Sequence, residues 1–153
     1  MKLLVDTTYF LPAIGISVRG ISRTSVQDLQ RRGHTISICT ITLFELAAKG
    51  AKFVASQRLN NLRVMNGLRA ILHDPTIGQV SFCEHDVVDR ALTVREEVSD
   101  FIDCLVLSSA AARADILVTE DEELQDVASR EETKARLKPV SHTFRACTAR
   151  RLP

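Results

Sequence analysis

The chain has 153 residues, 45% of them apolar and 25% charged. That is the profile of one soluble domain, long enough to bury roughly 68–70% of its unfolded surface without staples. With no Trp and one Tyr it offers few stacking platforms for bases, and no apolar run reaches the ~20 residues of a membrane span. The net charge of +1 hides an asymmetry: residues 1–80 carry ten Lys/Arg against four Asp/Glu, and residues 81–153 ten against fifteen. A basic half beside an acidic half suits a phosphate-rich partner facing a cation-binding centre, and equally an uneven, solvated surface.

In chain order, KLLVD (2–6) reads as a buried strand, and TYFLPAIG (8–15) as a first helix with Pro12 near its start. Asp6 interrupts the apolar opening, so no secretory leader is expected and a cytoplasmic location is. Ser22 or Thr24 can cap a helix through SVQDLQRR, closed by Gly33. TISICT (35–40) is a second strand, followed by a helix over ITLFELAAKG (41–50) that ends at Gly50. From Ser56 to His73 apolar residues recur every three or four positions, an amphipathic helix with Arg58, Arg63 and Arg69 among its polar positions, stopped by Pro75. QVSFC (79–83) is a third strand. DVVDRALTVREEV (86–98) and Asp100–Ala112 are helices, and ILVT (116–119) is a strand. A short helix holds Leu124–Val127, LKPVSH (137–142) is a last strand, and the tail TARRLP is expected to fray.

Strands alternating with helices imply an α/β fold: a three-layer sandwich with a central parallel sheet of about five strands, helices on both faces. One domain over residues 1–146 and a short basic tail over 147–153 are expected.

The four Cys and four His are scattered without Cys-x-x-Cys pairs, which argues against zinc; Cys39 and Cys83 lie in strand-like runs where a thiol serves as a small core residue. The acidic residues are more informative. Ligands of open α/β sheets bind beyond the carboxyl ends of the strands. Asp6 follows the first strand, Glu45 lies one turn into the helix after the second, and Asp121 comes two residues after ILVT. Asp103 lies one turn into a helix running antiparallel to the strands, so it starts at that same edge. Four carboxylates brought together repel one another and raise each other's pKa, which a hard divalent ion relieves; oxygen-only ligands suit Mg2+ or Mn2+. Each also has a plainer use. Asp6, Asp100 and Asp121 can cap helices, Asp103 can favour a helix dipole, and Glu45 can pair with Lys49.

Three stretches in order, LLVDTTYFLP, TITLFELAAKG and DCLVLSSAAARADILVTED, resemble the motifs of the PIN-domain nucleases over nearly the whole chain. Asp6, Glu45, Asp103 and Asp121 take the family's four acidic positions, and the eighteen-residue interval from Asp103 to Asp121 selects Asp103 over Asp100. Thr7 and Thr119 match hydroxyl residues beside the metal site, where they would orient carboxylates, and Glu123 matches a further acidic position. Cys104 departs from the family's usual Ala, and residues 11–25 look like a variant common in archaeal members.

The resemblance implies a Mg2+- or Mn2+-dependent endoribonuclease that cleaves single-stranded RNA by metal-activated water. Many small members are VapC-type toxins of type II toxin–antitoxin pairs, which form homodimers and are inhibited by a cognate antitoxin. Others process RNA without an antitoxin, and a non-catalytic PIN scaffold binding RNA or protein is a further alternative. Arg58, Arg63 and Arg69 would line an RNA path or simply face solvent. A haloacid-dehalogenase-type phosphatase would need Asp where Thr8 stands, and a dinucleotide-binding domain would need Gly in DTTYFLP.

Overall fold

The structure, a computed structural model, describes residues 1–153. Its sheet has five parallel strands in the order β3-β2-β1-β4-β5. They are β1 (Lys2–Val5), β2 (Thr35–Cys39), β3 (Ile77–Val80), β4 (Ile116–Val118) and β5 (Arg145–Cys147). Alternate residues serve opposite faces, as the strand period of two requires. Leu3, Val5, Ile36, Ile38, Ile116 and Val118 join one core, and Leu4, Cys39 and Leu117 join the other. Both faces are buried, which is why LLV (3–5) and ILV are unbroken apolar runs.

One face is covered by α1 (Thr7–Phe10), the 3-10 turn Leu11–Ile14, α2 (Ser25–Arg31), α3 (Thr40–Ala55) and α4 (Asn61–Leu72). The other is covered by α5 (His85–Thr93), α6 (Phe101–Arg113), α7 (Glu122–Ser129) and α8 (Glu131–Leu137). The chain steps outward from β1 to β2 and β3, then crosses back to β4 on the far side of β1. The carboxyl ends of β1 and β4 therefore flank the point where strand order reverses, the usual place for a ligand crevice in such sheets.

Several elements differ from the sequence expectation. LKPVSH is not a strand. Leu137 ends α8, Lys138 adopts a left-handed φ of 44°, Pro139 has no N–H, and Val140 N–H donates to the Ala111 carbonyl. The fifth strand is instead the three-residue Arg145–Cys147, too short to show a period. Gly50 does not end α3 but lies inside it, where a Cβ would stand 2.5 Å from Val64 Cγ1; the glycine lets α3 and α4 approach closely. The helix expected from Ser56 starts at Asn61, with the Asn60 side chain accepting from Leu62 N–H at 2.7 Å. The third strand sits two residues earlier than QVSFC, leaving Cys83 exposed beyond it. The division at residue 146 falls within β5, and the tail packs down: Cys147 and Leu152 are buried in the α1–α4 core. No helix is long and apolar enough to cross a membrane.

Candidate active site

Beyond the ends of β1 and β4 the backbone pairing continues, with Asp6 N–H donating to the Val118 carbonyl at 3.0 Å. This places Asp6 next to Thr119. The Thr119 hydroxyl donates to Asp6 Oδ2 at 2.8 Å and accepts from Asp121 N–H at 3.0 Å, so one buried threonine links both acidic residues. Asp6 Oδ1 accepts from Thr7 N–H at 2.6 Å, capping α1, while the Thr7 hydroxyl donates to Glu45 Oε2 at 2.5 Å. Asp121 caps α7 by accepting from Leu124 N–H at 3.1 Å. Asp103 arrives on the first turn of α6, whose N-cap is Asp100.

These residues line one open cleft of about 380 Å3 with no hydrophobic residue in its wall. Asp6, Glu45, Asp103 and Asp121 come from four separate segments, and Thr7, Thr8, Lys49, Asp100 and Glu120 complete it. Six carboxylates therefore face one cation, Lys49, whose Nζ lies 3.9 Å from Glu45 Oε1.

Electrostatics records the crowding. Burial, and then the charges of Asp6, Asp100, Asp121 and Glu45, push the Asp103 carboxyl up to about 7. Burial also raises Asp6, against the hydrogen bonds from Thr119 and Thr7 that lower it. An all-oxygen set of mutually repelling carboxylates fits a hard divalent cation. No three His, Cys, Asp or Glu side chains stand in ready-made ligand geometry, so an ion here would complete its shell with water, as Mg2+ does.

The family model described as PIN domain matches residues 3–130. The chain belongs to the PIN domain family. PIN domains are in general nucleases, so phosphodiester hydrolysis is the activity class the family brings to this cleft. Among solved structures, a chain of the complex described as VapBC2 from Rickettsia felis bound to a DNA fragment from their promoter has a similar fold. It shares 17% identity at a TM-score of 0.58, covering 97% of this chain and 98% of that one. No curated protein matches the chain.

Within this PIN domain the remaining expected residues lie elsewhere. Glu123 is outside the cleft, where it accepts from Ser99 N–H at 3.2 Å and Ser99 Oγ at 3.0 Å. It thereby ties the start of α7, which carries Asp121, to the segment entering α6, which carries Asp103. Arg58, Arg63 and Arg69 do not line the cleft. Arg58 stacks over the Phe53 ring at 5.7 Å, Arg63 donates to the Pro12 carbonyl at 3.2 Å, and Arg69 is exposed on α4. Sequence reasoning assigned Lys49, Asp100, Glu120 and Thr8 no part in the cleft. Their signal was proximity: Lys49 is one turn after Glu45, Asp100 three residues before Asp103, Glu120 beside Asp121, and Thr8 beside Thr7.

Proposed function

We propose that this PIN domain is a Mg2+- or Mn2+-dependent endoribonuclease acting on single-stranded RNA, and that it serves as the toxin of a type II toxin–antitoxin pair, working as a homodimer. The observation that carries the nuclease reading is the meeting of Asp6, Glu45, Asp103 and Asp121 in one wholly polar cleft. The toxin reading draws on the fold shared with a chain of the VapBC2 complex.

Asp6, Glu45, Asp103 and Asp121 would hold the cation. A divalent ion there supplies Lewis-acid chemistry, activating water for attack and neutralising charge on the phosphodiester. Thr119 fixes the Asp6 carboxylate and Thr7 the Glu45 carboxylate, each through one oxygen. That fixes the orientation of both groups before substrate arrives. With its carboxyl pushed up to about 7, Asp103 is partly protonated at neutral pH, and a bound cation would favour its ionised form. Lys49, the only cation in the wall, receives a non-bridging oxygen of the scissile phosphate and offsets the repulsion of RNA by six carboxylates.

The test is cleavage of an end-labelled RNA, unstructured or folded as a hairpin, with Mn2+ and with excess EDTA. We expect cuts in the unpaired RNA only, abolished by EDTA. Cleavage that persists in EDTA contradicts the metal requirement, and equal cutting of duplex contradicts the substrate class.

A further inference from the structure

The three α4-side arginines leave the RNA path without a cation beyond Lys49, but a second concavity does better. It shares Glu120 with the acidic cleft: Glu120 lines both that cleft and this pocket of about 260 Å3. Arg32 and Arg150 line it. We propose that this pocket is a phosphate subsite, holding the backbone phosphate next to the scissile one along the bound RNA strand. This rests on the RNA nuclease reading above and adds to it the direction in which the strand runs.

Four observations support the assignment. First, the pocket wall is built rather than incidental. Ala149 N–H donates to the Tyr9 hydroxyl at 2.8 Å, and that hydroxyl donates to Glu120, so a continuous polar chain joins the residue beside Arg150 to the catalytic cleft. Second, both guanidiniums are held by a single nitrogen. Arg150 Nη2 donates to the Gly20 carbonyl at 3.1 Å, and Arg32 Nη2 donates to the Pro153 carbonyl at 2.7 Å and the Leu152 carbonyl at 3.4 Å. A guanidinium has five N–H donors in a planar fork, so most of each fork remains to meet phosphate oxygens. Third, the acidic groups in the wall are already engaged: Asp28 takes Arg31 at 2.6 Å and the Thr24 hydroxyl at 2.8 Å, and Glu120 takes Tyr9. Neither arginine is paired with an Asp or Glu side chain; Arg32 holds the oxygen of the last residue, Pro153, so Arg150 is the freer of the two forks. Fourth, Gly20 has a φ of +82°, and a Cβ there would stand 2.8 Å from Arg150 Nη2, so this glycine leaves the guanidinium its place.

The experiment measures RNA binding apart from cleavage. Fluorescence anisotropy with a labelled unstructured oligoribonucleotide is followed across a salt series in an Asp6→Asn background, which prevents turnover. We expect Arg32→Ala combined with Arg150→Ala to weaken binding roughly tenfold, and the slope of log affinity against log salt to fall by roughly 0.7, the change for one phosphate contact. Ser25→Glu, which places a carboxylate in the pocket wall and keeps both arginines, should weaken binding in the same way, guarding against a folding effect of the arginine changes. Arg69→Ala should change neither quantity. In the catalytically intact chain the double variant should raise KM and leave kcat within about twofold. Unchanged affinity and salt slope in both variants would overturn the subsite, while cleavage by the intact chain would leave the nuclease reading standing. Unchanged RNA binding with loss of an acidic protein partner would overturn it in favour of a protein-docking role.

Discussion

Asp6 and Asp121 each do two jobs. Both cap a helix and both line the cleft, because the capping position after a parallel strand is also the ligand-facing edge of the sheet. Capping and a place in the cleft, alternatives when only the sequence is considered, coincide in the structure. Asp100 is similar, capping α6 through Ile102 N–H at 2.7 Å while lining the cleft. Its carboxylate is partly committed to the backbone, so we expect Asp100→Ala to cost several-fold in kcat and Asp103→Ala at least about a hundredfold; equal losses would show the two roles are not separate. Asp103 should also make stability depend on pH. Its carboxyl lies near 7 in the folded chain against 3.8 as a free side chain, so between about pH 4 and pH 7 the folded state binds more protons than the unfolded. Stability without divalent cation therefore falls as pH rises through that window. In EDTA the thermal midpoint should drop over this range, and Asp103→Asn should flatten the drop; an identical profile in the variant would place the titrating group elsewhere. Lys49 pairs with Glu45 on a half-exposed helix face, which contributes under about 0.5 kcal/mol to folding. Lys49→Ala should thus raise KM roughly five- to tenfold with little change in melting, and Lys49→Arg should recover most of it. A loss of stability without a KM change would reduce the residue to a surface ion pair.

At the level of elements, legibility followed apolar content. LLV and ILV were readable because a strand buried on both faces is uniformly apolar, and TISIC by its β-branched residues and buried Ile36, Ile38 and Cys39. The edge strand RAC, with Arg145 exposed, carries no such run, and α8, with Glu131, Glu132, Ala135 and Arg136 exposed, has only Thr133 and Leu137 buried. Neither could be separated from loop by pattern. The α3–α4 boundary was misread for a different reason: Gly50 looks like a helix end, whereas it serves the packing of α4. Gly67 does the same toward the 3-10 turn, where a Cβ would stand 2.4 Å from the Ala13 carbonyl oxygen and 2.7 Å from Ile14 Cα. Both neighbours are backbone and cannot rotate away. Gly67→Ala should therefore destabilise by about 1–3 kcal/mol despite alanine's better helix propensity, read as a lowered urea midpoint. A raised midpoint would mean that α4 shifts freely.

For the whole molecule, strand order decides what the sequence can announce. Counting strands and helices was enough to place Asp6, Glu45, Asp103 and Asp121 at one edge, because parallel connections send every strand's carboxyl end the same way. It was not enough to find the cleft's other wall. The basic half of the chain was legible as charge, but which of its cations face the site depends on how α2, α4 and the packed tail are arranged in three dimensions. Helix periodicity therefore singled out Arg58, Arg63 and Arg69, whereas packing puts Lys49 in the cleft, and Arg32 together with Arg150 from the acidic half in the pocket beside it. The proposal that four segments meeting in one cleft hold one cation is tested most directly by cleavage of unstructured RNA in Mn2+ by the native chain, Asp6→Asn and Asp103→Asn, each first shown to melt cooperatively. We expect the native chain to cut and both variants, folded, to lose activity by at least about a hundredfold. Full cleavage by either folded variant would contradict a shared carboxylate centre.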